Sequence, residues 1–261
     1  MNTICKIADI DIYLLYFLKI KTIFILSMVS KEENELISKQ DFFRETQILR
    51  QKHKVNKTNI IDLASRYGYI SILEWMEKSV CKFMYNTAIE NAVSNGHINI
   101  LEWFDKSNYD FKYSEWAINF ASKNGYIEIL EWFAKSNYEL KYTEYAIDKA
   151  SSNGHIGILE WFDKSVYEFK YDVWAINNAS IKGQIEVLNW FDKSKYEFKY
   201  SESAINYASE YGHVNVLEWF DKSKYEFKYS NWIIDSARKR NNIEVIEWFE
   251  KYRLRCNEGE K

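Results

Sequence analysis

The tripeptide Leu-Glu-Trp returns along this chain on a fixed clock. It starts at Leu73, Leu101, Leu130 and Leu159, and comes back as Leu188-Asn189-Trp190, Leu217-Glu218-Trp219 and Ile246-Glu247-Trp248. The spacings are 28 and then 29 five times, so seven units cover roughly residues 56–252. Seven of the ten tryptophans sit at this one position. A unit of this size cannot bury an apolar face alone and must stack on its neighbours, which points to a helical-repeat solenoid.

Each unit can be read internally. Gly68, Gly96, Gly125, Gly154, Gly183 and Gly212 keep the same clock, and Asn241 takes the place in the last unit. Gly and Asn enter the left-handed conformation that a helix C-terminus wants, so one helix per unit ends there. Ten or eleven residues earlier stand Thr58, Asn86, Ser114, Thr143, Asp172, Ser201 and Ser230, all residue types that cap helix starts. Between cap and turn the pattern is Ala-Ile-x-x-Ala, as at Ala117, Ile118 and Ala121. A second helix follows the glycine. At Ile127, Ile129, Leu130, Trp132 and Phe133 its apolar residues exceed one stripe, as expected for a helix buried between neighbours. Glu131–Lys135 and its equivalents at Glu102, Glu160 and Glu218 give that helix a solvated i,i+4 face.

The link between units alternates, as in Tyr109-Asp110-Phe111-Lys112-Tyr113, which predicts an extended segment. Its aromatics invite comparison with a stacking platform for single-stranded nucleic acid, but an acid two residues before each lysine prevents an electrostatic funnel. A net charge of -3 with interspersed signs offers no phosphate-binding surface either. Nucleic acid is therefore not an expected partner. Absent proline and a content of 8 glycines argue against loop-rich β folds, and 47% hydrophobic residues argue against disorder. The expected class is all-α, a seven-unit array preceded by a small helical N-terminal module over 1–55 and followed by a polar tail over 253–261.

No catalytic group stands out. His97, His155 and His213 each follow a repeat glycine and are two units apart, so they are expected to bond neighbouring backbone and not to share a ligand. Cys5, Cys81 and Cys256 are odd in number and scattered, so neither a disulfide framework nor a zinc site is indicated, and a reducing compartment follows. No cofactor, metal or enzymatic activity is expected.

The order helix, glycine turn, helix, extended link resembles an ankyrin repeat. Asn95-Gly96-His97-Ile98 and Asn153-Gly154-His155-Ile156 look like the signature of the ankyrin helix–helix turn. The period is shorter than the family's ~33 residues, and its Thr-Pro-Leu-His start is replaced by Ala-Ile after a cap. The short, Trp-rich form is similar to the ankyrin-like arrays encoded by giant DNA viruses of amoebae. The resemblance implies a protein-binding module in the (host) cytoplasm, monomeric, with first helices lining the concave binding face. Positions that vary between units on that helix are then the candidates for target contact. One row runs Thr87, Trp116, Tyr145, Trp174, Ser203, Trp232; the other pairs Phe120 with Asn119, Lys149 with Asp148, Asn178 with Asn177 and Tyr207 with Asn206. From these the target-binding set is Trp116, Phe120, Tyr145, Lys149, Trp174, Asn178, Tyr207 and Trp232, with the alternative that the tryptophans only cover the helix starts.

Residues 9–37 read DIDIYLLYFLKIKTIFILSMVSKEENELI. Lys19 and Lys21 split the apolar run, so a membrane-spanning helix is not expected. The segment resembles an F-box, which docks on the linker protein of cullin-type ubiquitin ligases. Its apolar face would be Ile10, Leu14, Leu15, Leu18, Ile23, Leu26 and Val29. The usual Leu-Pro opening is Lys6-Ile7 here, and a plain N-terminal cap for the array is the alternative.

Overall fold

The computed structural model describes residues 44, 45, 47, 48, 60–78, 85 and 87–257. The expected F-box face at Ile10–Val29, and the expected caps Thr58 and Asn86, lie outside these residues. Among the described residues the chain is all-helical, with fourteen α-helices and no strand. It divides into two compact units, Met1–Ser114 and Glu115–Lys261.

The first unit holds α1 (Ile60–Tyr67), α2 (Ile70–Lys78), α3 (Ala88–Ser94) and α4 (Ile98–Lys106). α1 packs on α3 and α2 on α4, and glycine turns join α1 to α2 and α3 to α4. Glu45, upstream of the helix pairs, is buried and accepts a hydrogen bond from the Ser71 hydroxyl on α2.

The second unit holds five helix pairs. They are α5 (Trp116–Asn124) with α6 (Ile127–Lys135), α7 (Glu144–Ser152) with α8 (Ile156–Lys164), and α9 (Val173–Ile181) with α10 (Ile185–Lys193). Then come α11 (Ser203–Glu210) with α12 (Val214–Lys222), and α13 (Ile233–Lys239) with α14 (Ile243–Asn257). First helices contact the next first helices and second helices the next second helices, in chain order. The first-helix contacts are the more extensive, because buried alanines (Ala117, Ala121, Ala146, Ala150, Ala175, Ala179) let backbones approach. Ile118, Ile147, Ile176 and Ile205 lie beneath them, fully buried, and Leu130, Phe133, Leu159, Phe162, Leu188 and Leu217 fill the second-helix side.

Three of the expected caps act through their side chains. Thr143, Asp172 and Ser201 accept the backbone N–H two residues on, from Tyr145, Trp174 and Ser203. Ser114 donates its hydroxyl to Glu90 of the preceding helix pair, at 3.0 Å. At the fifth pair α13 starts only at Ile233, whose N–H reaches the Ser230 carbonyl. Second helices end on a serine that closes the turn twice over. Ser165 Oγ donates to Phe162 O at 2.9 Å and accepts the Tyr167 N–H at 3.2 Å, and Ser136, Ser194 and Ser223 repeat both bonds. α14 runs on to Asn257, so residues 253–257, expected in the tail, are helical. Arg255 on that extension pairs with the largely buried Asp221 at 2.8 Å.

The repeat glycine is required for two reasons. Gly125 has φ of 77°, and the His155 ring of the next pair lies on its Cα, so an added Cβ would sit 2.8 Å from Nδ1. Gln184 covers Gly154, and His213 covers Gly183, in the same way. The turn of each of these pairs is thus the seat for the residue just before the next second helix. Asn241 follows the glycines with φ of 58°. At Gly212 the covering atom, Asn242 Oδ1, stands farther off at 3.4 Å. Gly125→Ala is therefore expected to cost more than Gly212→Ala. Positive φ alone accounts for roughly 1–2 kcal/mol in each. The crowded histidine adds to the first, and a comparison of thermal midpoints checks the order.

Candidate functional site

The second unit presents an aromatic row on its first helices. Trp116, Tyr145 and Trp174 stand in the first turn of their helices, each just before a buried Ala-Ile pair; Trp232 stands immediately before its helix, and Phe120 and Tyr207 lie about one turn further along theirs. Trp116, Trp174, Tyr207 and Trp232 are 43%, 45%, 37% and 42% exposed. These are large apolar surfaces to leave open to water. Trp116 stacks on Phe120 with centroids 5.5 Å apart and meets Tyr145 of the next pair edge-on at 5.3 Å. The Lys149 ammonium lies over the Tyr145 ring at 5.2 Å. Trp116, Phe120, Tyr145 and Lys149 therefore form one continuous patch. Tyr207 and Trp232 form a second, edge-on at 6.3 Å. Trp174 stands on the helix between, with half-buried Asn178 one turn on. Val173 and Tyr211, which sequence reasoning passed over, are exposed beside this row, and the Arg240 guanidinium lies over the Tyr211 ring at 4.9 Å.

The residues paired with that second row do something different. Asn119, Asp148, Asn177 and Asn206 vary little in chemistry and are 1%, 7%, 1% and 2% exposed, so they offer almost no surface. Each reaches the capping residue of the next helix pair. Asn119 Nδ2 donates to Thr143 Oγ1, and the Thr143 N–H donates back to Asn119 Oδ1, both at 3.1 Å. Asn177 with Ser201, and Asn206 with Ser230, make the same reciprocal pair at 2.9–3.1 Å. In the first unit Glu90 takes both the N–H and the hydroxyl of Ser114, and Asp62 takes the N–H of Thr87. These are joints between repeats. Their partners always stand about 24 residues on, a spacing that would have identified them from sequence.

The opposite face is occupied by the second helices and links. Glu131–Lys135, Glu160–Lys164 and Glu218–Lys222 form exposed i,i+4 pairs, worth a few tenths of a kcal/mol each at roughly 0.2–0.5. Link aromatics are consumed by packing. Phe169 stacks on Tyr196 at 4.1 Å and Phe198 on Tyr225 at 4.0 Å. Tyr142 donates to the Glu168 carbonyl of the next link, and Lys170 covers its ring at 4.8 Å. Burial, then the nearby Glu168 charge, pushes the Tyr142 phenol up to about 12. His97, His155 and His213 stand at the turns before second helices, and His97 Nε2 lies 3.1 Å from the Arg66 carbonyl.

Among the described residues no three His, Cys, Asp or Glu side chains gather to hold a metal ion, and no helix is long and apolar enough to cross a membrane. The expected linker-binding residues Ile10, Leu14, Leu15, Leu18, Ile23, Leu26 and Val29 lie outside the described residues. The chain matches no protein-family model and no curated protein.

Proposed function

We propose that this chain is a protein-interaction module, an ankyrin-like array that holds a target protein against the aromatic row of its first helices and performs no chemistry itself. The observation that carries this reading is the exposure of Trp116, Trp174 and Trp232, where Trp132 and Trp161 on the second helices instead stack on link tyrosines. Rigid, half-exposed aromatics on varied positions are what interface hot spots are made of. The first and second rows differ from repeat to repeat while the alanines beneath them do not, so specificity can change without touching the stack.

The N-terminal F-box-like segment gives this reading its effector half: the array selects a target and Ile10–Val29 docks on the cullin-ligase linker protein. Removing residues 1–40 is then expected to abolish linker-protein binding while the array stays folded; retained binding excludes the ligase role and leaves a passive scaffold. For the array itself, a photo-crosslinking residue at position 174 and another at position 131 divide the two faces. Target capture through position 174 and not 131 supports the aromatic row. The reverse result places the target on the Glu–Lys face and overturns it.

A further inference from the structure

Within the second unit the joints between helix pairs follow one rule, with one exception. Asn119–Thr143, Asn177–Ser201 and Asn206–Ser230 each place an amide, which both donates and accepts, against a hydroxyl and a backbone N–H. In the register of those residues, the joint between α7 and α9 has Asp148 facing Asp172. The Asp172 N–H still bonds the Asp148 carboxyl, as the rule requires. The other half of the exchange is missing, because an ionised carboxylate has no hydrogen to give and the group opposite is itself an acceptor. Asp148 is only 7% exposed, and its Oδ1 has no hydrogen-bond partner. Asp172 meanwhile uses its own Oδ1 to cap α9, accepting the Trp174 N–H at 2.6 Å, and a negative charge is favourable at that helix start.

We propose that the Asp148–Asp172 contact is a proton-operated joint: one proton, carried by Asp148 and donated to Asp172, completes it, and loss of that proton loosens α7 from α9. A protonated Asp148 reproduces the amide of the other three joints, donor and acceptor together. An ionised one sets a buried negative charge against that of Asp172, which itself lies exposed at the helix start. No cation offsets them. The charges acting on Asp148 are those of Asp172 and, on its own helix, Glu144. α9 carries no charged residue, and the one on α5 is Lys123. On α8, Glu160 pairs with Lys164, and Asp163 pairs with Lys195 of the next repeat. Lys149 points to the Tyr145 ring. Burial first, and Asp172 second, push the Asp148 carboxyl up to about 7, within the physiological range.

The direction follows from the folded chain holding this proton more tightly than the unfolded one. The joint's contribution is complete at pH values below the ordinary carboxylate range. It declines as pH rises from there and is gone above about 7. Tyr145 and Trp174 stand on the two helices concerned, so the joint sits directly under the exposed row, whatever that row binds.

Amide hydrogen exchange tests the joint against its own siblings. Protection of the Asp172 and Trp174 amides is divided by that of Ser201 and Ser203, so the common effect of pH on exchange cancels. Between pH 5 and 8.5 this ratio is expected to fall at least tenfold, since each unit of raised proton affinity is worth a factor of about ten. In Asp148→Asn, which installs the side chain of the other three joints, the ratio should not move with pH. In Asp172→Ser, which leaves Asp148 facing a hydroxyl, the fall should shift to lower pH. A flat ratio in the unmodified protein, or a fall that survives in Asp148→Asn, overturns the proposal.

Discussion

Alanine at Trp116, Tyr145 and Trp174 together is expected to weaken target binding by roughly 2 kcal/mol or more, some 30-fold, with helicity unchanged. The fold is expected to survive because the changes stop at the surface. Ala117, Ile118, Ala146, Ile147, Ala175 and Ile176 carry the buried side of the same helices and stay in place. The cap of α9 also survives, since Asp172 holds the backbone N–H of residue 174 and not its ring. What is lost is the patch in which Trp116 bridges Phe120 and Tyr145. A matched pair of charge reversals at Glu131 and Glu160 removes two exposed ion pairs and is expected to do little to binding or stability. Titration calorimetry with the purified target, with circular dichroism on each variant, separates the outcomes. Binding destroyed by the charge reversals and spared by the alanines would place the interface on the second helices.

The parts of this structure that were legible in the sequence are those enforced locally. Gly125 needs positive φ, a requirement of one residue, and so the glycine clock, continued by Asn241, marks the ends of the first helices without knowledge of the neighbours. Caps such as Thr143 act two residues away and are read as easily. The second demand on Gly125 was hidden, because the atom that crowds it belongs to His155, thirty residues on. The joints were hidden for the same reason. Asn119 and Asn177 look like variable surface beside Phe120 and Asn178, and only the 24-residue step to Thr143 and Ser201 reveals what they hold. Varied positions thus had two causes: Trp116 differs from Tyr145 on an exposed face, whereas Asp148 differs from Asn119 inside a joint, where the change alters a proton affinity.

Phe162→Ala is expected to destabilise the second unit by about 3–5 kcal/mol, as for large aromatic truncations in a core that cannot collapse around the void. Trp161→Ala, one residue away, should cost less. The sequence draws the eye to the tryptophan, because Leu-Glu-Trp marks the repeat; burial ranks the two residues the other way. Phe162 is fully buried, with the Tyr142 ring of the preceding link at 5.0 Å and Trp161 at 5.0 Å. Trp161 is half-buried and lies stacked on Tyr167 at 5.7 Å, where solvent can take up part of what its removal leaves. The same division holds at Trp190 with Phe191 and Trp219 with Phe220, so the phenylalanines form the continuous inner row and the tryptophans its outer cover. In a stack of nearest-neighbour contacts a void at α8 weakens its contacts with both α6 and α10. The urea midpoint should therefore fall further for Phe162→Ala than for Trp161→Ala, and the transition should broaden as the stack splits at the damaged pair. A larger loss from the tryptophan would mean that the outer cover, and not the inner row, holds these repeats together.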